Sequence, residues 1–371
     1  MTVITLISLL LFFWSDFAHA WGDVGHRSIS EATQSNLKPA VVKAIAKILG
    51  SQGDLQPNIL AHLSLWPDLI RPLVENPDAS LHGFTLEELQ EAKEFVHNHP
   101  DNTDWHFVDL PPGSPRYPDI EHPGPNDPVM VFVSPNDVVH MIHRCIEVLE
   151  SETILPHMTK LQALRWLIHL VEDLHQPLHV ASGYYRTNNS ALPKPQMIAD
   201  PATVTKENAK NDRGGNVLLF LKNPQCPTKP TRENLHSVWD DCLVDVVTGA
   251  NGCVSSTTDL EVMKLTTLLL SRMHAPETEG YHTTGDYHHW AEQWATDSLH
   301  VAKAHVFPDE LVEGCVIKDQ KPPHRPIHVQ SRIANPASKQ EYLLAHKADA
   351  AIQLTKAAVR LTDLLNQIQW K

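Results

Sequence analysis

The sequence predicts an all-α protein, one mainly helical domain with long Pro-rich loops and little β-structure. Three observations predict it. Apolar residues recur at helical spacing in several long stretches, keeping one face of each greasy. Proline outnumbers glycine, 28 to 15, which suggests helices punctuated by stiff loops. Hydrophobic residues make up 42% of the 371, enough for one substantial core, and no repeat or low-complexity tract divides the chain.

Charge restricts the function classes. The net charge is −14 with histidine neutral, and no basic run occurs. A Lys/Arg surface for nucleic acid is therefore disfavoured. If the protein handles phosphates, the positive charge must come from something bound.

In order, residues 1–20 read as a secretory signal. Ile4–Trp14 is an apolar core, and Ala18-His19-Ala20 has the small-x-small form of a cleavage site. The apolar run is short for a membrane span, and no second run of spanning length follows. A secreted, periplasmic or extracellular product without a membrane anchor is expected, with residues 21–371 as one domain. Cleavage would leave Trp21 first, and a free α-amine with its own carbonyl can chelate a metal. His26 follows at the head of a helix predicted to reach Leu49. The stretch LSLWPDLIRP places Asp68 and Arg71 three apart, on one face if helical. Leu86–His97 is a polar amphipathic helix. The segment DWHFVDLP buries Trp105, Phe107 and Val108 and aims His106 and Asp109 elsewhere. Residues 111–136 form a long Pro-rich loop. Val138–Glu150 is a helix whose His140 and His143 read as packing or surface residues.

The pivotal stretch is Leu164–Val180. Leu164, Leu167, Ile168, Val171 and Leu174 line one helical face, and His169 and Asp173, four apart, share another. Pro177 cannot donate a backbone hydrogen bond, so the helix should end or kink near Gln176 and swing His179 back. Two imidazoles and a carboxylate converging there suit a metal. The spacing alone is weak in a chain with 24 histidines, for it recurs at His97/Asp101, His236/Asp240, His282/Asp286 and His305/Asp309.

Gly183–Asn211 is polar and loop-like, with a glycosylation acceptor at Asn188. NDRGGNVLLFL reads as a Gly turn into a short strand. Residues 234–247 form a helix repeating the four-residue spacing at His236 and Asp240. Further helices cover Leu260–Met273, His289–His305 and Lys339–Ile368. Five cysteines in an exported chain allow disulfides, with the pairing open and one cysteine left over. The absence of CxxC makes a thiolate zinc site unlike this chain.

Taken together, WGDVGH, Leu65-Trp66-Pro67-Asp68, WHFVD, HLVEDLHQPLHV, DRGGN and NLHSVWD resemble, in this order, the S1/P1 nuclease family, relatives of zinc-dependent phospholipase C. Trp294-Ala295-Thr296-Asp297-Ser298 and the last helix are similar too. The resemblance implies the phospholipase C/P1 nuclease fold and a three-zinc site. Asp68, His106, His169 and Asp173 would hold one zinc. Trp21 and His26 would hold a second, bridged by Asp173. His179, His236 and Asp240 would hold a third, more exposed one. Imidazole, carboxylate, amine and carbonyl donors suit zinc without thiolate. Three Zn²⁺ against three carboxylates leave about +3, enough to grip a phosphodiester in an acidic protein.

By the same resemblance, Asp68 and Arg71 would serve catalysis. Phe107 would stack on a nucleobase, and Asp109 with Asn216 would hydrogen-bond its edge. The implied reaction is cleavage of the P–O3′ bond in single-stranded RNA and DNA, giving 5′-phosphates, with 3′-nucleotides as further substrates. A monomer with no obligate protein partner is expected. Two other readings stay open: a phospholipase C on lipid head groups, and a non-catalytic secreted zinc-binding protein. Asp240, where the phospholipases carry Glu, and Phe107 with Asp109 favour the nuclease over the lipase. A third site with only three protein ligands favours catalysis over storage.

Overall fold

The computed structural model describes residues 21–51, 53–151, 157–186, 196–205, 207–220, 234–254, 257–307, 311–317, 328–333 and 339–371, with backbone alone for 311–317 and 328–333. The first helices are Gly22–Gln34 (α1) and Pro39–Ile48 (α2), not one helix to Leu49. The break has a local cause: Pro39 cannot donate into a preceding turn, but is well placed at a helix start, where its N–H would be unused.

Ile59–Ile70 (α3), Leu86–Asn98 (α4), Val138–Glu150 (α5) and Lys160–Leu174 (α6) follow. Asp259–Met273 (α7), Trp290–Val301 (α8) and Lys339–Leu365 (α9) complete the long helices among the described residues. Side chains fix the starts of two of them. Thr159 and Gln162 form a reciprocal capping box on α6, and Asp137 accepts from Val139 and His140 N–H at the head of α5.

Helix α6 is the axis of the fold. Every residue from Gln162 to Leu174 is buried, so it is covered on all sides. It packs on α3, α5 and α9, while α1 packs on α3, α7 and α9. Each fully buried Leu or Ile along it contributes roughly 1.5–3 kcal/mol, which is why polar ligands can be carried at this depth.

The predicted helix at 234–247 is wound in three parts. Val238–Cys242 is π-helical between Leu235–Ser237 and Leu243–Val247. Strands are few. Tyr184–Arg186 (β1) pairs antiparallel with Ala209–Asn211 (β2). Leu218–Leu219 (β3) lies beside the antiparallel pair Leu311–Ile317 (β4) and His328–Ile333 (β5), parallel to β5.

Among the described residues a disulfide, Cys242–Cys253, ties the end of the π-segment to the following loop, and Cys145 is a buried free thiol. Cys226, the side chain of Cys315, the Asn188 acceptor and residues 1–20 lie outside the described residues. Among the described residues no helix is long and apolar enough to cross a membrane.

Candidate metal centre

Four separate stretches meet at α6. Trp21 caps α1 in a left-handed conformation, fully buried, and its indole Nε1–H donates to Glu172 O at 3.0 Å. The ordinary role of an aromatic anchor thus holds for the ring, and the Trp21 carbonyl accepts Gly25 N–H at 3.0 Å as the first turn of α1 closes. Asp68 is carried by α3. Pro67 inside that helix withdraws one backbone N–H and loosens the turn. Ser64 O on the same turn accepts His169 Nδ1–H at 2.7 Å. Pro177 begins a 3₁₀ turn, Pro177–His179, as its missing N–H requires. There the chain runs alongside residues 106–110: Val108 N–H donates to His179 O at 2.8 Å and Leu110 N–H to Val180 O at 3.0 Å. This ladder delivers His106 to His169 and Asp173.

The convergence is close. His106 Nδ1 lies 2.9 Å from both His169 Nε2 and Asp173 Oδ2. His169 Nε2 is 3.2 Å from Asp173 Oδ2 and 3.9 Å from Asp68 Oδ1. The His26 ring stacks on His169, centroids 4.3 Å apart. His179 Nε2 faces His236 Nε2 at 3.2 Å, and Asp240 Oδ2 is 3.4 Å from His236 Nε2. Three groups could each hold an ion: His26, Asp68 and His169; His106, His169 and Asp173; His179, His236 and Asp240. The first two share His169, so they describe adjoining positions. All five histidines and three aspartates singled out in the sequence as ligands are brought together here, and all are buried.

Does the donor set fit zinc? His179 Nδ1–H donates to His106 O and His236 Nδ1–H to Gly214 O, both at 2.7 Å. Each ring therefore carries its proton on Nδ1 and a lone pair on Nε2. Two lone pairs facing at 3.2 Å repel unless a cation joins them. Likewise His26 Nε2 and Asp173 Oδ1 are buried without a hydrogen-bond partner, 3.4 Å apart. Buried polar atoms left unsatisfied are costly, and a divalent ion is the partner these atoms suit.

Titration points the same way. Burial, then the neighbouring His169 charge, pushes His26 down to about 3. Burial and Arg71 bring His106 to about 4, and burial with His179 brings His236 to about 3. These rings are neutral, metal-ready imidazoles near neutrality. Burial disfavours charge on Asp173, but His169 and His179 hold it well below the usual carboxylate range. Burial and the adjacent Asp241 push Asp240 well up, a penalty that a bound cation relieves.

The other predicted residues surround this cluster. Arg71 is buried and bridges to Asp68 Oδ1 at 3.1 Å, so the pair is not a surface one. Phe107 and Asp109 are half-buried beyond His106. Asp109 is engaged by the protein itself: Ser182 Oγ–H donates to Oδ1 at 2.5 Å and Asn211 Nδ2–H to Oδ2 at 3.1 Å. Asn216 donates to Arg213 O at 2.8 Å. His140 and His143 lie apart, each with a carboxylate: Asp137 at 3.0 Å and Glu292 at 3.2 Å. Of the repeated spacings, His282 turns to Asp363 instead of Asp286, and His305 Nδ1 lies 3.8 Å from Asp349 Oδ2.

Residue spacing missed the groups that aim the ligands. Gln176 Nε2–H donates to Asp240 Oδ1 at 2.7 Å. Gly214 must be glycine, for its φ is +60° and a Cβ would meet Leu178 O at 2.4 Å and His236 Nδ1 at 3.2 Å. Glu172, buried beside Asp173, bonds His26 Nδ1 at 2.5 Å. A carboxylate adjoining a ligand Asp was the one signal that could have marked it.

A family model described as S1/P1 Nuclease matches residues 21–369. Similarity also extends to "Endonuclease 3" of Arabidopsis thaliana, 23% identical over 228 residues, 62% of this chain. The match spans 56% of that relative's length.

Proposed function

This chain belongs to the S1/P1 nuclease family, and from that premise we propose that it is an exported zinc phosphodiesterase that hydrolyses the P–O3′ bond of single-stranded RNA and DNA, leaves 5′-phosphates, and also dephosphorylates 3′-mononucleotides. The observation that carries the zinc part is the pair of histidines, His179 and His236, whose Nε2 lone pairs face each other at 3.2 Å while their Nδ1 protons are spoken for. When bound, zinc supplies an activated water near neutral pH and positive charge for the phosphoryl oxygens.

The chain's own groups fill the remaining roles. Trp21, His26, Asp68, His106, His169, Asp173, His179, His236 and Asp240 hold three ions. Asp68 orients the attacking water, and Arg71, fixed by its bridge to Asp68, neutralises charge on the departing 3′-oxygen. Arg71 also bears electrostatically on His106, His179 and His236, so its charge reaches both ends of the cluster. Phe107 offers a π-face to an unpaired base, and Asp109 with Asn216 reads its edge. Stacking tolerates any base and favours single strands, whose bases are free to turn out.

The test is digestion of matched single- and double-stranded DNA by the zinc-loaded protein, with end-group analysis and a parallel lecithin assay. Single-strand cleavage with 5′-phosphate ends is expected. Release of phosphocholine without DNA hydrolysis would replace this reading with the phospholipase one.

A further inference from the structure

Glu172 stands where three of the proposed ligands meet. It precedes Asp173 in sequence, its backbone carbonyl accepts the Trp21 indole N–H at 3.0 Å, and its Oε2 lies 2.5 Å from His26 Nδ1. Its other oxygen, Oε1, accepts the Ser30 hydroxyl at 2.6 Å. Glu172, His26 and Ser30 are all fully buried. A carboxylate in this position is a costly thing to place in a core unless its neighbours use it.

We infer that Glu172 is a positioning residue that assembles the second metal position: through His26 it fixes the tautomer that leaves Nε2 open, and through its backbone it seats Trp21. An ionised Glu172, its Oε1 taken by the Ser30 proton, accepts His26 Nδ1–H at Oε2. The proton on Nδ1 leaves the lone pair on Nε2, the atom that is buried without a partner and faces Asp173 Oδ1 at 3.4 Å. The carboxylate's charge also makes the imidazole a stronger donor. One residue thus couples the start of α1 to the Asp173 turn of α6, and Ser30, one turn beyond His26 on α1, completes the bracket. This rests on the zinc reading of the site.

The experiment is a chelator competition on the zinc-loaded protein, repeated with cobalt to follow its visible absorption. Glu172→Gln keeps the volume and can still accept from Nδ1–H, but lacks the charge. It should weaken one of the bound ions about 10-fold, and Glu172→Met, which loses the acceptor too, toward about 100-fold. The cobalt absorption should lose the share belonging to that ion, while the melting of the metal-stripped Gln variant stays at the wild-type value. Ser30→Ala should produce a smaller loss confined to the same ion. Wild-type affinity for every ion in Glu172→Gln overturns the inference; if that variant does not fold, unchanged affinities in Ser30→Ala overturn it equally. A wild-type protein that binds no zinc removes the zinc reading itself, whereas normal loading with indifferent variants removes only the role of Glu172.

Discussion

Asp212 offers a prediction that can be worked through. It is fully buried at the turn that carries Gly214. Its Oδ1 accepts Gly183 N–H at 2.9 Å and Gly215 N–H at 3.0 Å, and its Oδ2 lies 3.5 Å from the Tyr185 hydroxyl. Burial pushes its pKa from 3.8 up to about 7, against the help of the two backbone bonds. The folded value exceeds the unfolded one, so folding retains a proton that the unfolded chain releases. The stability from this group is complete below about pH 4, falls as pH rises, and is lost above about pH 7. Asp212→Asn keeps an acceptor for both glycine N–H groups and places an amide against Tyr185, whose hydroxyl can turn to accept it. At about 1.4 kcal/mol per pKa unit, the variant should gain on wild type by about 3 kcal/mol between pH 5 and pH 8. Urea unfolding at saturating zinc measures this. Proton release on metal binding is common to both proteins and cancels in the difference. Two stability curves that stay parallel across that range would refute the buried, protonated Asp212.

Other substitutions probe the rest of the site. Asp173→Asn should lower the affinity of two ions together, read by metal titration; loss of only one would break the bridge. Phe107→Ala should raise KM for single-stranded DNA with metal content unchanged, and a silent phenotype would remove Phe107 from base recognition. Ser182→Ala leaves the buried Gly214 N–H, now donating to Ser182 Oγ at 2.7 Å, without an acceptor. It should destabilise the protein by about 1–3 kcal/mol in urea unfolding, and a change below about 0.5 kcal/mol would discount the bond. A chain with an extra Met before Trp21 should bind one ion more weakly than a chain that begins at Trp21, and equal zinc titrations would contradict chelation by the terminal amine.

The helices expected at 86–97, at 138–150, from 164 to near 176 and at 260–273 are legible in the sequence because their apolar period is strong and their breakers are local, and the structure sets their bounds at 86–98, 138–150, 160–174 and 259–273. Pro177 announced the turn that presents His179, and the structure places that turn where the missing N–H requires. Pro39 carries the same signal, but the apolar pattern continues across it and masks the break between α1 and α2. The π-segment at 238–242 was not legible: it adds one residue to a helical turn, and residue types alone do not mark it. The metal-type residues were legible only as a family pattern. His236/Asp240 and His282/Asp286 have the same spacing, yet one converges with His179 and the other faces Asp363, and only long-range packing separates them. The aiming groups were hidden for the same reason. Ser64 O, His106 O and Gly214 O are backbone carbonyls, which no residue pattern can single out.

The most direct measurement is the zinc content of protein prepared to begin at Trp21, after dialysis against zinc-free buffer. About three zincs per chain are expected, with single-strand cleavage lost when they are stripped and restored when they return. A chain that retains no zinc, or that cleaves single strands equally well without it, would contradict a nuclease built on the meeting of His26, His106, Asp173 and His236.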